Sequence, residues 1–231
     1  MANARRWVVI PAAGRGERFG ASLPKQYAVV AGKTVLEHAL ACFNGLERLA
    51  GIVVAVASDD DRFARLWRPA APVHTVVGGE TRAASVAAAL QWLHDGPARE
   101  DDWVLVHDAA RPLLSRDDLN ALVHESEQNG HGALLGVPVA DTIKHADDGM
   151  VSETIPRDKL WRAMTPQMFR LGALRDALER AGPEVTDEAM AMEKAGMKPT
   201  IVRGSATNLK ITTLNDLVMA EALFAMRAQT R

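Results

Sequence analysis

The sequence predicts an α/β fold in which a mostly parallel, twisted sheet carries helices on both faces. Three observations lead there. Short apolar runs recur along the chain, helical stretches separate them, and most of the runs are near-continuously apolar, which suits strands buried on both faces of a parallel sheet.

The runs are Trp7-Val8-Val9-Ile10, Ile52 to Val56, Val73 to Val77, Trp103-Val104-Leu105-Val106, Ala133-Leu134-Leu135 and Pro199 to Val202. Between the early ones, Thr34-Val35-Leu36-Glu37 has the spacing of a capping box and opens an amphipathic stretch. Thr81 to His94 and Ser115 to Gln128 also read as helices. The alternation breaks at Pro138. Val139 to Pro156 is polar and β-rich, and Asp147-Asp148-Gly149 supplies a hairpin turn between Thr142-Ile143-Lys144-His145 and Val151-Ser152-Glu153-Thr154. A two-stranded ribbon is marginal by itself, so this β-arm, residues 138–160, is expected to pack either on its own domain or on a second copy of the chain. Helical text returns at Leu171 to Arg180, Thr186 to Ala195 and Leu214 to Met226. Residues 1–231 read as a single domain.

Composition narrows the classes of function. With 231 residues, 48% of them hydrophobic and 24% charged, the chain has the make-up of a globular protein able to bury a core. A net charge of −2 argues against nonspecific nucleic-acid binding, while local basic clusters still suit one phosphorylated ligand. No run approaches the roughly 20 apolar residues that span a bilayer. The apolar run after Arg5-Arg6 is too short for a signal sequence, so a cytoplasmic protein without a membrane role is expected. The single cysteine, Cys42, reads as a small apolar helix residue. The seven histidines lack metal-ligand spacing, and no serine sits in a nucleophile elbow, so neither a zinc site nor covalent catalysis is expected.

Ligands of such sheets sit beyond the carboxyl ends of the strands. After the first run comes Pro11-Ala12-Ala13-Gly14-Arg15-Gly16-Glu17-Arg18-Phe19-Gly20, then Pro24-Lys25-Gln26-Tyr27. Small residues there let the backbone approach a ligand and turn N–H groups toward it, and Arg18 and Lys25 add positive charge, an arrangement suited to a triphosphate. Phe19 stands where a dinucleotide fingerprint needs glycine, and Tyr27 where a Walker loop needs it, so both better-known phosphate loops fail. Later strand ends lead into Val77-Gly78-Gly79-Glu80-Thr81-Arg82-Ala83-Ala84-Ser85 and Val106-His107-Asp108-Ala109-Ala110-Arg111-Pro112. Gly78 and Gly79 suit main-chain contact with a base or a plain tight turn, and Asp108 suits a Mg²⁺ bridging phosphates or a helix cap.

Taken in order and spacing, these segments resemble the 2-C-methyl-D-erythritol 4-phosphate cytidylyltransferases of the non-mevalonate isoprenoid pathway over almost the whole chain. The likeness extends through Arg82 and Ser85, Asp141-Thr142-x-Lys144, Arg157, Leu160-Trp161, Thr165-Pro166-Gln167, Thr186-Asp187-Glu188-Ala189 and Asn208-x-Lys210-x-Thr212. It implies a Rossmann-like nucleotidyltransferase fold and an enzyme that joins CTP to methylerythritol phosphate. Arg18, Lys25 and Lys210 are the implied catalytic residues at the α-phosphate. Pro11, Ala12, Ala13, Gly14, Gly16, Gly79, Glu80, Arg82, Ser85, Asp108 and Ala109 are the implied CTP contacts, with Asp108 holding Mg²⁺. Thr142, Arg157, Thr165, Thr186, Asp187, Glu188 and Thr212 are the implied acceptor contacts, Thr142 and Arg157 coming from the arm of a partner in a homodimer. Two positions depart from the pattern: Thr207, where an acidic residue is frequent, and Phe19, where methionine is frequent. A ribitol phosphate cytidylyltransferase would share the nucleotide half. A noncatalytic nucleotide-binding regulator would share the fold, although the joint presence of Arg18, Lys25, Asp108 and Lys210 argues against it.

Overall fold

The apolar runs become strands whose alternate side chains feed two separate cores. A computed structural model of the chain describes residues 4–14, 23–182 and 184–229. Strand β1 (Arg6–Pro11) sends Trp7 and Val9 to one face and Val8 and Ile10 to the other, the period-two geometry of a strand, and all four are buried. Its tiny neighbours β2 (Val29–Val30) and β3 (Lys33–Thr34) form a separate hairpin. Helix α1 (Val35–Ala41) follows with the predicted capping box. Thr34 accepts from the Glu37 N–H, and Glu37 accepts from the Thr34 N–H at 2.7 Å, a device that contributes about 1 kcal/mol to a helix end.

The remaining elements are β4 (Leu49–Val56), β5 (Val73–Val77), α2 (Arg82–Asp95), β6 (Trp103–Val106), α3 (Arg116–Asn129), β7 (Ala133–Pro138), β8 (Ile143–Asp147), β9 (Met150–Ile155), β10 (Trp161–Arg170), α4 (Leu171–Ala181), α5 (Glu188–Lys194), β11 (Thr200–Arg203) and α6 (Leu214–Gln229). Among the described residues the main sheet has seven strands in the order β11-β7-β10-β6-β1-β4-β5. The pairs β1–β4, β1–β6, β4–β5 and β7–β11 are parallel. Helices α1 and α3 cover one face through Leu36, Leu40, Leu119 and Leu122. Helices α2, α4 and α5 cover the other through Leu90, Leu93, Leu174 and Met192. Each such side chain, fully buried, is worth about 1.5–3 kcal/mol of transfer free energy.

One strand was not legible in the sequence. Strand β10 lies between β6 and β7 and runs antiparallel to both. Its text, with Arg162, Thr165, Pro166 and Gln167, lacks the apolar continuity of the others, and a proline ordinarily argues against a central strand. Pro166 falls where the register with β7 shifts, between Met164 and Gln167, so its missing N–H breaks no ladder bond.

The arm forms as read. Among the described residues strands β8 and β9 pair only with each other as a two-stranded sheet, and Asp148 and Gly149 both take positive φ, the backbone a tight primed turn requires. The side chains of these two strands are exposed except for half-buried Ile143 and Ile155. Among the described residues no helix is long and apolar enough to cross a membrane.

Candidate active site

The chain passes from β1 to β4 and β5 on one side, then returns to β6 on the other, so a topological switch lies between β1 and β6. At the carboxyl ends of these strands opens a cavity of about 270 Å³. Residues 11–14 after β1, 79–82 and Ser85 at the start of α2, 108–110 after β6, Lys25, Gln26 and Lys210 line it. Three segments far apart in sequence thus meet at one edge of the sheet.

The loop after β1 is held from beneath. Gln26, 5% exposed, sits on a short 3₁₀ turn (Lys25–Tyr27) and donates from Nε2 to the carbonyls of Ala12 at 2.8 Å and Gly14 at 3.0 Å. Engaging those carbonyls fixes the peptide planes of a loop whose N–H groups are its useful feature. Tyr27 donates its hydroxyl to Asp60 and ties the same turn to the loop after β4. The loop after β5 requires its glycines. A Cβ on Gly78 would lie 2.5 Å from the Ala13 Cβ, and one on Gly79 would lie 2.5 Å from the Ala84 Cβ. Close approach of the first loop demands glycine at position 78, and close approach of the first turn of α2 demands it at position 79, in neither case through positive φ. Ser85 completes this wall by donating to the Thr81 carbonyl at 3.0 Å.

Asp108 is the electrostatic centre. Its Oδ1 accepts from Arg82 Nε at 2.9 Å, its Oδ2 lies 2.7 Å from Lys210 Nζ, and Arg111 Nε stands 3.6 Å away. Burial would raise its pKa, but the charges of Arg82, Lys210 and Arg111 overcome that and hold the carboxyl well below its usual range. Behind it, the Asp108 N–H donates to Thr165 Oγ1 at 2.9 Å, and that hydroxyl lies 3.3 Å from His107 Nδ1. The other ring nitrogen of His107 meets the Arg111 carbonyl at 2.9 Å. Full burial pushes this histidine down to about 4, so it is neutral and structural. Lys210 is brought in by its neighbours: Asn208 Nδ2 donates to the Thr165 carbonyl at 2.9 Å and the Ile211 N–H donates to the Ala110 carbonyl at 2.8 Å.

The structure sorts the predicted residues into three groups. Pro11, Ala12, Ala13, Gly14, Lys25, Gly79, Glu80, Arg82, Ser85, Asp108, Ala109 and Lys210 converge on the cavity. Gly16, Arg18 and Phe19 lie outside the described residues. The expected acceptor residues are dispersed. Thr165 is buried directly behind Asp108. Asp187 caps α5 by accepting from the Met190 N–H and takes the Gln167 amide at 2.9 Å. Thr186 is exposed beside Met190. Glu188, 1% exposed, has both oxygens on Arg82. Thr212 donates its hydroxyl to Asp216 in the first turn of α6 at 2.7 Å. Thr142 and Arg157 are exposed at the arm, and the Arg157 guanidinium contacts the Ala140 carbonyl. Thr207 shares its hydroxyl with Ser205 at 2.8 Å. Burial pushes the Cys42 thiol up to about 11, which leaves it protonated and inert at neutral pH. Gln26 and Thr81 were given no role from sequence, yet both line the cavity. Only the position of Gln26 inside Pro24-Lys25-Gln26-Tyr27 hinted at its part, since nothing in a sequence marks a glutamine as buried.

A cavity at the switch point of a doubly wound sheet, walled by small residues and carrying two lysines and a buried carboxylate, defines the class: a nucleotide-binding transferase site. A family profile described as 2-C-methyl-D-erythritol 4-phosphate cytidylyltransferase matches residues 7–226. Relatives bearing that name include proteins of Pseudomonas paraeruginosa, 52% identical over 94% of this chain and 95% of its own, and Acidithiobacillus ferrooxidans, 48% identical over 97% and 98%. Among solved structures, a 4-diphosphocytidyl-2C-methyl-D-erythritol synthase superposes with a TM-score of 0.83 at 38% identity, covering 97% of this chain and 100% of that one. The Thermus thermophilus cytidylyltransferase superposes with a TM-score of 0.77 at 34% identity, covering 94% and 97%. The chain belongs to the 2-C-methyl-D-erythritol 4-phosphate cytidylyltransferase family, a family of nucleotidyltransferases. The ribitol phosphate enzyme and the noncatalytic regulator are not favoured by these likenesses.

Proposed function

We infer that this chain transfers the cytidylyl group of CTP to 2-C-methyl-D-erythritol 4-phosphate, forming 4-diphosphocytidyl-2-C-methyl-D-erythritol and releasing pyrophosphate. The observation that carries the reading is the convergence of Lys25, Lys210 and Asp108 on one cavity lined by residues 11–14 and 79–82, in a chain of this family.

The acceptor's phosphate has a second pKa of about 6 and is mostly dianionic at neutral pH, so its attack needs no general base. One acceptor phosphate oxygen bonds to the α-phosphorus of CTP in line as the bond to pyrophosphate breaks. What remains for the protein is positioning and charge. Lys25, Lys210 and Arg18 neutralise the developing negative charge, beside a first loop whose described residues are braced by Gln26. Ala12, Ala13, Gly79, Glu80 and Ser85 read the cytosine, and Pro11, Gly14, Gly16, Arg82 and Ala109 complete the nucleotide pocket. The family resemblance offers Thr165, Thr186, Asp187, Glu188 and Thr212 to the acceptor. The arm of a second copy supplies Thr142 and Arg157 there, which makes the working unit a cytoplasmic homodimer. The arm's exposed strands, paired only with each other, support that part of the reading.

The residues fit a cation that arrives with its nucleotide. Among the described residues no three His, Cys, Asp or Glu side chains gather into a metal cage, and Asp108 is a single buried carboxylate already surrounded by positive charge. Mg²⁺ characteristically takes one or two carboxylates together with substrate phosphates. Asp108 would hold the ion, which would supply charge neutralisation for the phosphate oxygens.

The test is pyrophosphate release from the purified protein with Mg²⁺, CTP and either methylerythritol phosphate or ribitol phosphate. Release with methylerythritol phosphate alone is expected. Release with ribitol phosphate alone would move the chain to that chemistry, and silence with both would overturn the transferase reading.

A further inference from the structure

Strand β10 carries a glutamine where a strand buried in the middle of a sheet ordinarily has an apolar residue. Gln167 stands opposite Val106 of β6 and Leu134 of β7 and is 1% exposed. Both heteroatoms of its side chain go to one segment, the start of α5. Nε2 donates to Asp187 Oδ2 at 2.9 Å, and Oε1 accepts from the Ala189 N–H at 2.7 Å. A carboxylate on one side and an N–H on the other leave the amide a single orientation.

These contacts decide where α5 begins. The first N–H groups of a helix have no partner within it. Here the Met190 N–H goes to Asp187 Oδ1 at 2.9 Å, as at an ordinary cap, and the Ala189 N–H goes to Gln167. A helix of seven residues has little stability of its own, so an anchor on the sheet fixes its start. Asp187 has each oxygen on a donor of the protein, Oδ1 on its own helix and Oδ2 on Gln167, whereas Thr186 beside it is exposed. Two residues back along β10, Thr165 Oγ1 accepts from the Asp108 N–H at 2.9 Å. One strand thus braces Asp108 through residue 165 and the start of α5 through residue 167.

We propose that Gln167 is a positioning residue for the acceptor: its amide latches Asp187 and the Ala189 N–H to β10, and so sets Thr186 at a fixed place relative to Asp108. Asp187 is the other half of the latch rather than a ligand of the acceptor. This rests on the reading that residues 186–188 face methylerythritol phosphate. In-line attack needs the acceptor phosphate held accurately against the α-phosphorus, and an error of about 1 Å costs about 100-fold.

The test is kcat/KM for methylerythritol phosphate at saturating CTP, from pH 6 to pH 9, with calorimetric binding of CTP to the same full-length proteins. Gln167→Glu keeps an oxygen for the Ala189 N–H but donates to Asp187 only while it is protonated. As pH rises and the two carboxylates repel, its kcat/KM relative to wild type at each pH is expected to fall by about 10- to 100-fold. Adding Asp187→Asn gives the new carboxylate a permanent donor while the asparagine oxygen still caps Met190, so the double variant should lose the pH dependence and recover most of the activity. Gln167→Met, which removes both bonds and adds no charge, should be low at every pH. CTP binding should hold in all three, because Glu188 keeps its two bonds to Arg82. Wild-type acceptor kcat/KM in Gln167→Met, or in Gln167→Glu at pH 9, would overturn the inference alone. So would a double variant no better than Gln167→Glu at pH 9, or an equal loss in CTP binding. Silence of the wild type with methylerythritol phosphate would overturn the reading of the segment and the inference with it.

Discussion

The cavity and the arm are built on opposite plans. At the cavity, several buried polar groups find partners within one chain: Gln26 on two carbonyls, Glu188 on both terminal nitrogens of Arg82, Thr165 between Asp108 and His107. The arm is held by backbone pairing and by exposed cross-strand bonds from Lys144 to Thr154 and between His145 and Ser152, and its apolar side chains Met150 and Val151 are 75% and 62% exposed. The described walls of the cavity are therefore cross-braced within one chain, whereas the strands of the arm bury little of their surface against the rest of it. Preorganised charge suits a reaction that needs positioning and no general base. An unpacked ribbon suits a part that completes its contacts on another surface.

The largest expected effect sharpens the first half of this contrast. Lys25→Ala and Lys210→Ala should each lower kcat by about 100- to 1,000-fold, the common result of removing one preorganised stabiliser of developing charge. Thermal unfolding followed beside the turnover assay should find the fold intact. If Thr142→Ala at the arm lowers kcat as far while the oligomer persists, the division between rigid site and auxiliary arm breaks down.

Next comes a dependence on pH that belongs to the buried network. His107 has a folded pKa of about 4 against 6.5 for the ordinary side chain, so it is neutral in the native state. As pH falls from about 6.5 to about 4 the unfolded chain binds the proton and the folded one does not, and stability declines by about 3 kcal/mol over that window. Asp108 slopes in the same sense but below this window, because its carboxyl is depressed. Glu188, raised by burial, slopes oppositely. Urea denaturation at pH 7.5 and 5 should therefore show a larger loss for wild type than for His107→Gln. Equal losses would mean that His107 is not the neutral strut the geometry describes.

The smallest change in stability is expected at the arm. Met150→Asp with Val151→Asp alters exposed side chains and should move the unfolding free energy of the chain by no more than about 0.5 kcal/mol. On the proposed arm-mediated homodimer, the same pair should shift the protein toward monomer in analytical ultracentrifugation. A large loss of stability in a protein that stays monomeric throughout would show the arm folding back on its own domain.

The early strands were legible because a strand buried on both faces must be apolar at every position, and Trp7 to Ile10 and Trp103 to Val106 are. Helices α2 and α3 were legible through Thr81 and Ser115, whose side chains accept from the N–H groups of Ala84 and Asp118 at 3.1 and 3.0 Å. Strand β10 escaped because its proline and polar residues fit a central position only where the register with β7 shifts. The same limit applies at the site. Lys25, Asp108 and Lys210 could be picked out by charge and by their place after strands or within motifs, but Glu188 read as one more acidic residue in an acceptor segment.

The sequence by itself determined the α/β class, the helix starts, the hairpin turn and the candidate phosphate loop, all of which depend on residues within a few positions of one another. Tertiary structure alone decided that Gly78 must be glycine because Ala13 lies against it, that Gln26 braces the first loop, and that Arg82 divides its nitrogens between Glu188 and Asp108. Those outcomes join residues 14, 26, 65 or 106 positions apart. Their energetics depend on who is buried beside whom, and no local pattern encodes that.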